Sequence, residues 1–141
     1  MRNIIDILHD EFADAISSAF PNLDALEVEV TTSTQDKFGH YQCNSPMKLA
    51  KALKDNPRAI AQQIIQNLET TEKTAEALIH SLEIAGPGFI NVTIDPTYLS
   101  KNIQEMFEDS HLGVPLPKHA QRIVIDFSSP NVAKEMHVGH L

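Results

Sequence analysis

A chain of 141 residues is long enough for one domain with a hydrophobic core. Its 42% hydrophobic and 21% charged residues are ordinary for a globular protein. No apolar run approaches the roughly 18 residues of a membrane span, and the opening MRNIIDILHDEF lacks the apolar centre of a signal peptide. A net charge of −8 argues against a broad phosphate-binding surface. A single cysteine, Cys43, excludes an intrachain disulfide and fits a reducing, cytoplasmic location.

In NIIDILHDEFADAISSAF, Ile5, Leu8, Phe12, Ile16 and Ala19 recur at three and four residues, which predicts an amphipathic helix closed by Pro21. LEVEVTT alternates Leu26, Val28 and Val30 with Glu27 and Glu29, the period of a half-buried strand. STQDKFGHYQCNS reads as a turn into an extended piece. Ser45-Pro46 predicts a helix start with Ser45 as N-cap, and Asn56-Pro57 predicts another, whose Ile60, Ile64, Ile65 and Leu68 share a face. TEKTAEALIHSLEIA begins as a helical turn or a loop and becomes a strand near Leu78. AGPG is a turn by composition, and FINVTI alternates again as a strand. Asp95-Pro96 caps a last helix carrying Leu99, Ile103, Met106 and Phe107. The order predicts an α+β domain, an antiparallel sheet with helices packed on it.

The charge is uneven. Residues 1–117 hold 8 Lys/Arg against 17 Asp/Glu, and residues 118–141 hold 3 against 2. The shift coincides with GVPLPKHAQR, so the chain divides into a domain over 1–117, with a linker from about 110, and a second unit over 118–141. RIVIDFS in the second unit is a continuous apolar run, centred on Ile123, Val124 and Ile125, as in a buried parallel strand. A loop and a helix start follow it, the first half of a βαβ unit. One parallel strand makes no sheet, so the sequence is expected to be a piece of a longer protein.

That helix start carries His137, Gly139 and His140 in MHVGHL. Helix N-termini attract phosphate, and histidines three apart can donate hydrogen bonds to it. Gly139 lets a flat base approach the backbone, and Lys134 adds a cation. The tetrad alone is a weak signal. The histidines could equally be surface residues or half of a metal site, and Gly139 could mark a helix end.

The wider stretch IDFSSPNVAKEMHVGHL resembles the opening of the catalytic domain of class I aminoacyl-tRNA synthetases, specifically the arginyl family, with HVGH at its HIGH motif. Two further stretches are similar to that family: DKFGHYQCN, with His40 where an acid is commoner, and AGPGFINV. The resemblance thus covers the whole chain. It implies an α+β N-terminal additional domain followed by the first strand and loop of a Rossmann-type catalytic domain. The implied activity is arginine–tRNA ligation, in which ATP converts arginine to arginyl-adenylate and the arginyl group passes to tRNA(Arg). It also implies ATP with Mg2+ as substrate, no tightly bound cofactor, no structural metal, and a monomeric full-length enzyme without membrane attachment.

Carried over by motif, His137, Gly139 and His140 contact ATP, the histidines stabilise its α-phosphate, and Lys134 neutralises phosphate. Asp126 holds the arginine α-ammonium, Asn131 orients its backbone groups, and His137 adjoins it. Asp126 could instead cap its strand, and Asn131 could hold its own loop. In the N-terminal domain Phe89 and Asn91 stand where the family offers an aromatic and an amide to a D-loop base, with Gln42 and Tyr41 as further RNA contacts. Phe89 and Asn91 share one face of their strand. If that face is core, Asn91 is out of place; if it is solvent, Phe89 is. Alone, the 141-residue chain is expected to be inactive. Two other readings are a free-standing RNA-binding module with an inert tail and a different nucleotidyltransferase; the latter leaves Ser-Pro-Asn unexplained. His9, His80, His111 and His119 have no readable role.

Overall fold

The computed structural model describes residues 2–23, 28–71, 78–119 and 121–125. Helix α1 spans Ile4–Ala19, strand β1 Val30–Thr32, a 3-10 turn Asp36–Phe38, β2 Tyr41–Cys43, α2 Ser45–Leu53, α3 Pro57–Thr71, β3 Ile79–Ala85, β4 Phe89–Ile94 and α4 Pro96–Glu108. The strands form one antiparallel sheet in the order β1-β2-β4-β3. The α+β expectation holds.

Asn3 caps α1 by accepting from the Ile5 N–H at 3.3 Å. The helix buries Leu8, Phe12, Ala15 and Ile16, while Ile5 and Ala19 are half-buried at the margins of the predicted stripe. The stripe meets Ile60, Ile64 and Leu68 of α3, Leu49 of α2, and one face of the sheet. That face presents Cys43, Ile90, Val92 and Ile94, alternate residues of β2 and β4, so period-two geometry sets which side carries the core. Each such side chain taken fully from water contributes about 1.5–3 kcal/mol.

The KFGHY segment ties β2 to β4. The His40 backbone N–H donates to the Val92 carbonyl at 2.8 Å, and its Nδ1 accepts from the Ile94 N–H at 2.9 Å. Gly39 precedes it at φ +81°, where a Cβ would lie 2.7 Å from the Val92 oxygen. Only glycine fits both the conformation and the space.

Three expectations change. The strand predicted over LEVEVTT is regular only from Val30; Leu26 and Glu27 lie outside the described residues. Ser45 is not the N-cap of α2 but its first residue, after Asn44. Its buried hydroxyl instead accepts from the Glu29 N–H at 2.9 Å and from the Cys43 thiol at 3.4 Å. Residues 121–125 are not a buried strand. They have no regular structure, and Ile123, Val124 and Ile125 are 73%, 89% and 78% exposed. A parallel strand needs neighbours on both edges and cover on both faces, and among the described residues it has none.

Candidate nucleic-acid interface

The face of the sheet away from the helices is built from the other half of each strand. A row of paired residues crosses all four strands: Thr31, Gln42, Asn91 and Glu83. At its centre Asn91 is only 5% exposed, and its Oδ1 accepts from Gln42 Nε2 at 2.9 Å. The bond joins residues 49 positions apart and fixes the orientation of both amides. It engages one of the several hydrogen bonds an Asn side chain can make. Phe89 stands on the same face, half-buried, two residues before Asn91. Its partner across the ladder is Ala85, and a Cβ on Gly86 would lie 3.5 Å from its ring. Small residues therefore surround the ring on the hairpin side. The dilemma of a shared Phe89–Asn91 face resolves on the helix-free side, with the amide shielded by its neighbours and the ring half open.

The AGPG turn that presents Phe89 is docked on the start of α3. Gly88 packs so closely on Pro57 that a Cβ would come within 2.6 Å of the proline Cβ. The Arg58 guanidinium, through Nη1, donates to the Gly86 carbonyl. Asn56 in turn accepts from the Arg58 N–H at 2.9 Å and starts the helix. Arg58 thus brings a cation beside the turn. Sequence reading missed it, because partners 28 positions apart give no local signal.

Tyr41 belongs to the other side. It pairs with Val92, packs against the core, and burial raises its phenol pKa above the usual value. The remaining sequence candidates, Asp126, Asn131, Lys134, His137, Gly139 and His140, lie outside the described residues.

Residues 6–94 match the family model described as the arginyl tRNA synthetase N terminal domain, which is more than half of the chain. The chain belongs to the arginyl-tRNA synthetase family. Residues 102–141 match a second model, the catalytic domain of class I (R) tRNA synthetases. An arginine–tRNA ligase of Protochlamydia amoebophila is 50% identical over 145 aligned residues, covering 100% of this chain and 24% of the relative. One from Trichodesmium erythraeum is 46% identical and is covered to 23%. The chain therefore spans about a quarter of the length of the curated relatives it matches. A crystal structure of arginyl-tRNA synthetase from Plasmodium falciparum superposes with a TM-score of 0.66 at 27% identity, over 99% of this chain and 26% of that one.

Within this synthetase family both matched regions fall in the order that the motifs imply. The GPGFIN stretch lies in the first region and the HVGH stretch in the second.

Proposed function

We propose that this chain is the N-terminal part of an arginine–tRNA ligase, and that its domain grips tRNA(Arg) through the helix-free face of the sheet. Family membership, carried by matches along nearly the whole chain, supports the ligase reading. The pairing of a half-open aromatic ring with a preset amide pair supports the tRNA contact. Phe89 stacks on an unpaired base, and the Asn91–Gln42 pair reads its edge. Sequence-specific contact with RNA works in this way on single-stranded loops. Gln42 holds Asn91 in register, so the amides are ordered before the base arrives.

The activity assigned to the whole protein is activation of L-arginine by ATP followed by transfer to tRNA(Arg). In this reading His137 and His140 donate hydrogen bonds to the ATP α-phosphate as the arginine carboxylate attacks it, and Lys134 offsets phosphate charge. Gly139 leaves room for the adenine. Asp126 holds the arginine ammonium and Asn131 its neighbouring polar groups. The acidic stretch of the chain ends near residue 117, and the enzyme is a cytoplasmic monomer using ATP as its magnesium complex. The 141-residue chain alone carries out no arginine-dependent ATP–pyrophosphate exchange, whereas the full-length protein does.

The interface is tested in the full-length enzyme with Phe89→Ala and Asn91→Ala. Loss of one base stack costs about 1–3 kcal/mol, roughly 5- to 150-fold in tRNA affinity. Circular dichroism of both variants is recorded in parallel and should match the parent, so that lost affinity is not lost fold. Unaltered tRNA affinity in both variants would remove the interface assignment and leave the ligase reading standing.

A further inference from the structure

Among the described residues, every large hydrophobic side chain that stands exposed lies at position 103 or beyond. Ile103 is 66% and Phe107 84% exposed; Met106, Leu112, Val114 and Leu116 continue the surface toward the apolar run at 123–125. Among the described residues, the first part of the chain has no such surface.

Helix α4 explains where the change falls. Asp95 caps it by accepting from the Thr97 and Tyr98 N–H groups, and Tyr98 and Leu99 pack against the core. No residue of the helix is fully buried, and beyond that turn its apolar side stays open. Leu99, Ile103, Met106 and Phe107 recur at three and four residues, one continuous apolar stripe. The opposite side carries Lys101, Glu105 and Glu108. A groove of about 400 Å³ runs along the stripe, walled by Ile4 of α1 and by Leu112 and Val114. Exposed apolar surface that is gathered in this way marks an interaction site.

We propose that this surface is the seat of the rest of the class I catalytic domain, and that α4 is one rigid helix shared by the two domains. The inference rests on the synthetase reading of the whole protein. The N-terminal match ends at residue 94, the catalytic match begins at 102, and the exposed apolar surface begins at 103. Surface chemistry and family boundary change at the same place, inside one unbroken helix running from Pro96 to Glu108. The relatives are about four times as long as this chain, so the remaining catalytic domain is large enough to cover the stripe. Its contact is apolar, made to Ile103, Met106 and Phe107. Because the Asp95 cap and Leu99 hold the first turn to the core, the helix sets the angle between the sheet face with Phe89 and the catalytic centre.

Cysteine labelling tests this. Cys43 is fully buried and its pKa is raised mainly by that burial, so it stays silent while the fold is intact. Phe107→Cys and Ile103→Cys are made in the 141-residue chain and in the full-length synthetase, with Glu105→Cys as the outward-facing control. In the short chain all three thiols are expected to label rapidly at every protein concentration. In the full-length protein the two stripe positions should label at least about tenfold more slowly, while Glu105→Cys is unchanged. Equal labelling of the stripe in both proteins overturns the proposal. So does protection in the short chain that grows with concentration, which would assign the stripe to a second copy. The readout involves no catalysis: a protected stripe in a protein without ligase activity would sink the functional reading and spare this one.

Discussion

The imidazole of His40 stands where the family resemblance sets an acid, and its hydrogen bond shows what the position does. Nδ1 accepts the Ile94 N–H at 2.9 Å, at the end of β4 just before the α4 cap. A carboxylate could accept the same hydrogen, so the substitution keeps the acceptor while changing the group. His40→Asp is expected to leave stability nearly unchanged. His40→Ala leaves that N–H without its partner and should cost about 1 kcal/mol, read as a lower urea midpoint at constant slope. Equal stability of the alanine variant would mean that the bond is dispensable. The sequence marks residue 40 as unusual but does not reveal its partner. The same holds for Asn91: alternation puts it with Phe89, but only the β2–β4 pairing brings Gln42 to it.

At the scale of elements, local periodicity was sufficient where one face dominates. Helices α1 and α3 and the β3–β4 hairpin follow their apolar spacing and the AGPG turn. It failed where a side chain serves a distant partner. Ser45 has the chemistry of an N-cap, yet its hydroxyl goes to Glu29, sixteen residues upstream. RIVIDFS has the composition of a buried strand, but its described residues, 122–125, stand exposed, because burial belongs to a sheet and not to a run of letters. Asp95 is the opposite case, a cap read correctly. The Thr97 N–H, bonded to its carboxylate, leads in holding its pKa below the usual value, aided by the Tyr98 N–H and by nearby His80. A depressed carboxylate stabilises the fold above its unfolded pKa, and that contribution fades as pH falls through the folded value. Asp95→Asn keeps a capping oxygen without the titration. Its α4 helicity, followed by circular dichroism in the acid range below about pH 4, should fall less steeply than that of the parent. Identical acid limbs would show that the carboxylate charge contributes nothing there.

For the molecule as a whole, the question is how a chain of net charge −8 would hold the polyanion proposed as its partner. Residues 1–117 contain only 8 Lys/Arg, and Arg58 is already engaged with the Gly86 carbonyl beside the turn. In the proposed complex, phosphate neutralisation is then the smaller source of this domain's affinity, and stacking and amide contacts are the larger. The consequence is a weak salt dependence. Each phosphate neutralised adds roughly 0.7–0.9 to the slope of log K against log salt. Binding of tRNA(Arg) to the 141-residue chain should show a slope worth two or three phosphates at most, and Phe89→Ala should weaken binding without changing that slope. A much steeper slope would move the interface from the sheet face to whatever cations the chain can gather. It would also put the −8 charge in conflict with the role assigned to the domain. A shallow slope fits a division of labour in which this domain selects a base by contact, while the electrostatic pull on the tRNA comes from elsewhere in the full-length enzyme.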